Sequence, residues 1–182
     1  MKKYILSLLV LCFGLTAFSQ LPSVKLKDID GKTINTAELS NDGKPMIITF
    51  FATWCKPCHR ELKAIHEVYA DWQDETGVKV ITVSIDEAQN VAKVKPLVDG
   101  FGWEFDVLLD SNSDFKRALG INLIPASVVV DGNGKIVSSR TGYTDGSEEH
   151  LIEEVRKLIE NSAEKVEVSD DVIEIIEVEI SE

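Results

Sequence analysis

Cysteine is scarce, with three in 182 residues: Cys12, Cys55 and Cys58. Histidine is equally sparse, and His59, His66 and His150 show no H-x3-5-H spacing. A structural zinc site needs two ligands beyond a CxxC pair, and this chain is poorly supplied with them. Clusters of positive charge are missing too. Against 31 acidic residues stand 19 Lys and Arg, a net charge of −12, so nucleic acid and anionic lipid are poor partners because phosphate contacts need basic clusters. The apolar run from Tyr4 to Phe18 is only about 15 residues, short for a membrane span that wants ~20.

What is present suits a folded domain, since 44% hydrophobic residues is ample for a core. Residues 1–19 have the layout of a signal peptide: Lys2 and Lys3, the apolar run, then Ala17 and Ser19 where a signal peptidase reads small residues. Cleavage is expected between Ser19 and Gln20, a retained anchor being the alternative. Leu11 before Cys12 is not the small residue that a lipid-attachment box needs. Cleavage would remove Cys12 and both lysines, taking the charge from −12 to −14, and leave Cys55 and Cys58 with no competing thiol in an oxidising compartment. The expected organisation is a signal peptide over 1–19, a domain over 20–162 and an acidic tail over 163–182.

The chain is organised around Trp54-Cys55-Lys56-Pro57-Cys58, which follows the apolar run 46–52 and precedes a helical pattern over 59–72. A CxxC pair where a strand ends and a helix begins is a candidate redox centre. A thiol at a helix N-terminus faces unpaired N–H groups and the positive end of the dipole, which favour its thiolate. Cys55 is that thiol. Cys58 lies one turn on, within reach to close a disulfide or resolve a mixed one, and Pro57 suits a first helical turn. A half zinc site and a purely structural disulfide are the alternatives, though so small a loop gains little chain entropy from a bridge.

Residues 24–34 read as a hairpin turning at Asp30-Gly31, followed by a helical turn over 35–39 with Thr36 as cap. Residues 46–51 read as a central strand buried on both faces. Leu62, Ile65, Tyr69 and Trp72 form the buried stripe of the helix after the cysteines. Residues 78–85 are the next strand, Asp86-Glu87 opens a helix to about Val98, and residues 103–109 form a shorter strand. Ser111 caps a helix that Gly120 stops. Strands 126–130 and 135–139 flank the hairpin signal Asp131-Gly132-Asn133-Gly134, and Ser147 begins a last helix with Leu151, Ile152, Val155, Leu158 and Ile159 inward. This order implies an α/β fold, a mixed sheet with helices on both faces. The tail holds eight acids against Lys165, or −7 of the charge, with Val and Ile partly alternating between them. It suits either a strand added to a sheet edge, in this chain or another, or a disordered acidic segment.

The run Phe50-Phe51-Ala52-Thr53-Trp54-Cys55-Lys56-Pro57-Cys58-His59-Arg60-Glu61-Leu62, with Ile124-Pro125 and Asp131-Gly132-Asn133-Gly134-Lys135 downstream, resembles the thioredoxin superfamily. Within it the chain is most similar to the TlpA/ResA-like extracytoplasmic thiol–disulfide oxidoreductases, over residues 21–161. The resemblance implies a thioredoxin-like three-layer sandwich with an N-terminal β-hairpin and a central insertion between Asp86 and Gly102. It implies that Cys55 attacks a substrate disulfide, that Cys58 resolves the intermediate, and that Pro125 is a cis-proline presenting the backbone of Ile124 to substrate, with Trp54 and Pro57 beside it. Glu61, three residues after Cys58, stands where ResA-like proteins carry a thiol-tuning glutamate; a solvated glutamate is the alternative. Thioredoxins proper place a buried aspartate where this chain has Thr49, so proton transfer by that route is unavailable. Ala126 replaces an unsurprising Thr or Ser after the proline, and His59 follows the second cysteine, either tuning reactivity with pH or standing as a plain exposed histidine.

These readings predict a secreted, periplasmic disulfide reductase that needs no metal or organic cofactor. Its substrates would be protein disulfides, apocytochrome c cysteines among them. Electrons would come from a membrane dithiol reductant of the DsbD/CcdA type. A disulfide oxidase, a Cu(I) chaperone and a non-enzymatic binding module are the alternatives, and the oligomeric state stays open.

Overall fold

The computed structural model describes residues 20–162; the expected signal peptide over 1–19 and the acidic tail over 163–182 lie outside them. The described strands are β1 (Lys25–Asp28), β2 (Thr33–Asn35), β3 (Met46–Phe51), β4 (Lys79–Ser84), β5 (Asp106–Leu109), β6 (Ala126–Val130) and β7 (Ile136–Thr141). The helices are α1 (Lys56–Thr76), α2 (Val94–Phe101), α3 (Asp114–Ala118) and α4 over 149–162. The strands form one mixed sheet in the order β2-β1-β5-β4-β3-β6-β7. β3, β4 and β5 run parallel, and the hairpins at either side pair antiparallel.

The run of β3, five apolar residues and Thr49, is buried at all six positions because the sheet is covered on both faces. Alternation divides the run. Ile47 and Phe51 join α1, α2 and α4 through Leu62, Ile65, Val94, Val98, Leu151 and Val155. Met46, Ile48 and Phe50 join Phe115 of α3, Leu26 and Ile121 on the other face. α1 stops at Gly77, whose left-handed backbone (φ 65°) returns its N–H to Gln73 O. Gly132 meets the turn at Gly43 so closely that a Cβ there would lie 1.8 Å from Gly43 O. Among the described residues no helix is long and apolar enough to cross a membrane.

Several local expectations are corrected. Asn35, not Thr36, caps the 3-10 turn over Thr36–Glu38; Thr36 is buried and donates instead to Pro22 O. Asp86 opens no helix. A 3-10 turn over Val91–Lys93 precedes α2, which starts only at Val94, because the Asp86 carboxylate is occupied elsewhere. Ser111 is not the cap of α3: the buried Asp110 carboxylate accepts from Phe115 N and Lys116 N. Trp103 packs in the core ahead of β5 rather than starting it. The last helix begins at residue 149, with Ser147 Oγ accepting from Thr144 N just before it.

Candidate active site

β3, paired on both sides, delivers the chain to the C-terminal end of the parallel strands, and the loop 52–55 turns it into α1. Cys55 is the N-cap of α1, its sulfur accepting from Cys58 N at 3.3 Å. Its backbone N–H donates to Ala52 O at 3.0 Å. Pro57 sits in the first turn, where its missing N–H has no helical partner to lose. Cys55 and Cys58 form a disulfide with Cα atoms 5.3 Å apart. The two sulfurs are unequal. Cys55 keeps 5% exposure and Cys58 none, so a partner meets Cys55 first.

The register of β3 with β6 pairs Phe50 with Ala126, which puts Pro125 at the end of the sheet where the cysteine loop leaves. The Ile124-Pro125 bond is cis, and Pro125 O accepts from Gly142 N at 2.8 Å. Two large apolar side chains stand in solvent on the adjoining loops, Trp54 at 64% and Leu123 at 70% exposure. His59 is not a plain exposed histidine. It is half-buried, with Nε2 3.2 Å from Ala52 O and its ring against Phe101 and Trp103, which stack on each other.

Glu61 is buried, one turn beyond Cys58. Thr49 Oγ1 donates to its Oε2 at 3.3 Å and Ser127 Oγ to its Oε1 at 3.0 Å. Thr49 and Ser127 are themselves register partners across β3 and β6. The strand position of the missing aspartate thus supplies a hydroxyl, and the acid reaches the same interior from the helix. Burial pushes the Glu61 carboxyl up to about 7, the two hydroxyls hold it lower than burial alone would, and the charge of Glu148 adds a smaller upward push. Glu61 borders a cleft of ≈ 440 Å³ walled by Ser127, Tyr143, Ser147 and His150. Tyr143 donates to Glu148 at 3.0 Å, and burial, with Glu148 beside it, pushes its phenol up to about 12.

Sequence reasoning missed Asp86 and Ser127. Asp86 is 1% exposed and holds the loop before the cysteines. An acid pair, Asp86-Glu87, closing an apolar, β-branched run was the available signal. Ser127 carried none, since a serine within a buried strand shows its partner only once the sheet is paired.

A dithiol at a strand-to-helix junction, a cis-proline at the same sheet end and helices on both faces define a thioredoxin-fold oxidoreductase. Residues 18–139 match the model of the AhpC/TSA family, and the chain belongs to that family. It is similar to the thiol–disulfide oxidoreductase ResA of Halalkalibacterium halodurans, 31% identical over 76% of this chain and 74% of the relative. ResA of Bacillus subtilis is 28% identical over 68% and 66%. Among solved structures, a thioredoxin-like protein from Porphyromonas gingivalis superposes with a TM-score of 0.71 at 68% identity, covering 79% of this chain and 94% of that one. StoA from Bacillus subtilis does so at 0.58 and 26% identity, over 73% and 96%. The protein is accordingly a thiol–disulfide oxidoreductase of the ResA/StoA type, carrying the Cys55–Cys58 pair.

Proposed function

We propose that the protein works outside the cytoplasm as a reductase of protein disulfides, apocytochrome c cysteines among them, recharged by a membrane dithiol of the DsbD/CcdA type. The thiolate of Cys55 attacks one sulfur of the substrate disulfide, and the other leaves as a thiolate. Cys58 then gives its proton to Glu61 and attacks Cys55. The mixed bond breaks, a second substrate thiolate departs, and two electrons have passed to the substrate as the Cys55–Cys58 disulfide forms. Trp54, Pro57, Ile124 and Pro125 frame the approach, the backbone of Ile124 pairing with an extended substrate.

The observation that carries this reading is the inequality of the pair: Cys55 caps the helix with residual exposure, and Cys58 is closed off with a buried acid one turn away. The signal-peptide pattern of residues 1–19 and the resemblance to ResA support the location. Trapping with Cys58→Ser is the test. Mixed disulfides through Cys55, identified by mass spectrometry in the periplasmic fraction, name the substrates; their absence favours a binding module. Equilibration with glutathione tests direction: a potential near thioredoxin's value of about −270 mV supports a reductase, and one far above it an oxidase.

A further inference from the structure

We propose that Asp86 is a positioning residue for the dithiol. By holding Thr53 against the end of β4, it fixes where Cys55 enters the site and so tilts the Cys55–Cys58 couple toward the disulfide. The carboxylate is buried immediately after β4. Its Oδ2 accepts from Thr53 N at 2.8 Å and from Ser84 Oγ at 2.8 Å, and its Oδ1 accepts from Thr53 Oγ1 at 2.6 Å. Burying a carboxylate is costly unless its oxygens are satisfied, and two of these three bonds go to one residue of the cysteine loop. The platform beneath is rigid. Ile85 N donates to Phe51 O at 2.9 Å, carrying the pairing of β3 with β4 beyond its last register pair, Phe51 with Ser84.

Thr53 stands two residues before Cys55, while Cys58 is already inside α1. Cys55 stands at the boundary, as the N-cap, so anchoring Thr53 fixes the path by which the chain enters it. A disulfide closes more readily the less conformational freedom its two thiols must give up, which is the effective-concentration argument applied within one chain. Releasing Thr53 lets residues 53–55 sample other paths in the dithiol form, and the disulfide becomes the less favoured state. Removing the negative charge of Asp86 also favours a thiolate nearby, in the same direction. A variant of Thr53 separates the two contributions, because it leaves the charge in place.

The experiment equilibrates the full chain with reduced and oxidised glutathione. The enzyme dithiol gives two electrons and two protons to glutathione disulfide, yielding the Cys55–Cys58 disulfide and two glutathione thiols. Asp86→Asn is expected to move the equilibrium at least about tenfold toward the dithiol, about 30 mV for a two-electron couple. Thr53→Val should move it the same way by at least about threefold, and Thr53→Ser, which keeps both bonds, should stay within about twofold of the wild type. Melting temperatures of both redox forms add a readout that a merely structural role leaves unmoved: that of the disulfide form falls relative to that of the dithiol form in Asp86→Asn and Thr53→Val. Unchanged equilibria overturn the proposal, as does a shift in Asp86→Asn with none in Thr53→Val, which would mean charge alone. Should Asp86→Asn not fold, the Thr53 pair decides by itself. The inference rests on the redox couple and not on the direction of electron flow: a wild type that never equilibrates with glutathione removes the couple, whereas equal constants in the variants remove only Asp86.

Discussion

Ser127 donates to Glu61 at 3.0 Å, joining the strand that follows the cis-proline to the helix that carries the cysteines. Its register partner Thr49 donates to the other carboxylate oxygen. The acid is thereby held inside the protein between two strands, at a pKa where it can take and return a proton near neutral pH.

The first prediction follows from linkage. The folded-state value of Glu61 is raised from 4.5 to about 7, so in that window the folded protein holds a proton that the unfolded chain has released. Stability then falls as pH rises from about 4.5 through 7, a loss on the order of 3 kcal/mol for this group. Glu61→Gln removes the dependence. Urea unfolding of the wild type and the variant, followed across that range, should converge at the acid end and separate above pH 7 in favour of the variant. Parallel profiles would show that Glu61 ionises as it does in water.

Ser127→Ala takes a donor from the charged form of Glu61 and leaves burial unopposed on that oxygen. The midpoint of Glu61 should rise by about one pH unit, the worth of a hydrogen bond to a charged group. Carboxyl-carbon NMR reads that midpoint directly. If Glu61 takes the proton of Cys58, the pH at which the thiols titrate moves as well, and moves again in Glu61→Gln. Thiol titrations identical in all three proteins would separate Glu61 from the chemistry.

Periodicity carried much of this architecture. The five apolar residues of β3 could be buried on both faces only in a covered sheet, and Leu62, Ile65, Tyr69 and Trp72 did become the inner stripe of α1. The cysteine pair was legible because its spacing is itself the chemistry. Contacts set by register were not. Thr49 and Ser127 meet through the pairing of β3 with β6, and neither residue shows that in its neighbourhood. Asp86 and Ser111 misled for one physical reason: a polar residue beside a turn is expected to cap or open a helix. Asp110 does so one step away from the serine first assigned, whereas Asp86 turns inward to Thr53.

Removing residues 163–182 should leave reduction of a small model disulfide unchanged. The cysteines, Glu61, Asp86 and Pro125 are positioned by elements that end before that segment, while the segment carries −7 of net charge. Turnover of the truncated chain with a small aromatic disulfide checks this, and a large fall would tie the tail to the site.

Gly132 provides a control far from the cysteines. It lies in the turn between β6 and β7, at the end of the sheet opposite Ala126. A Cβ at this position would lie 1.8 Å from the carbonyl oxygen of Gly43 and 2.4 Å from its carbon. Those are backbone atoms that no rotamer change can clear, so Gly132→Ala forces two turns apart. Overpacking of this kind costs typically about 1–3 kcal/mol. Chemical denaturation should show a lower midpoint with an unchanged slope, while the Cys55–Cys58 equilibrium with glutathione stays at the wild-type value. A shifted equilibrium would mean that strain travels along β6 to Pro125, and the dithiol would then answer to the whole strand and not to its own loop.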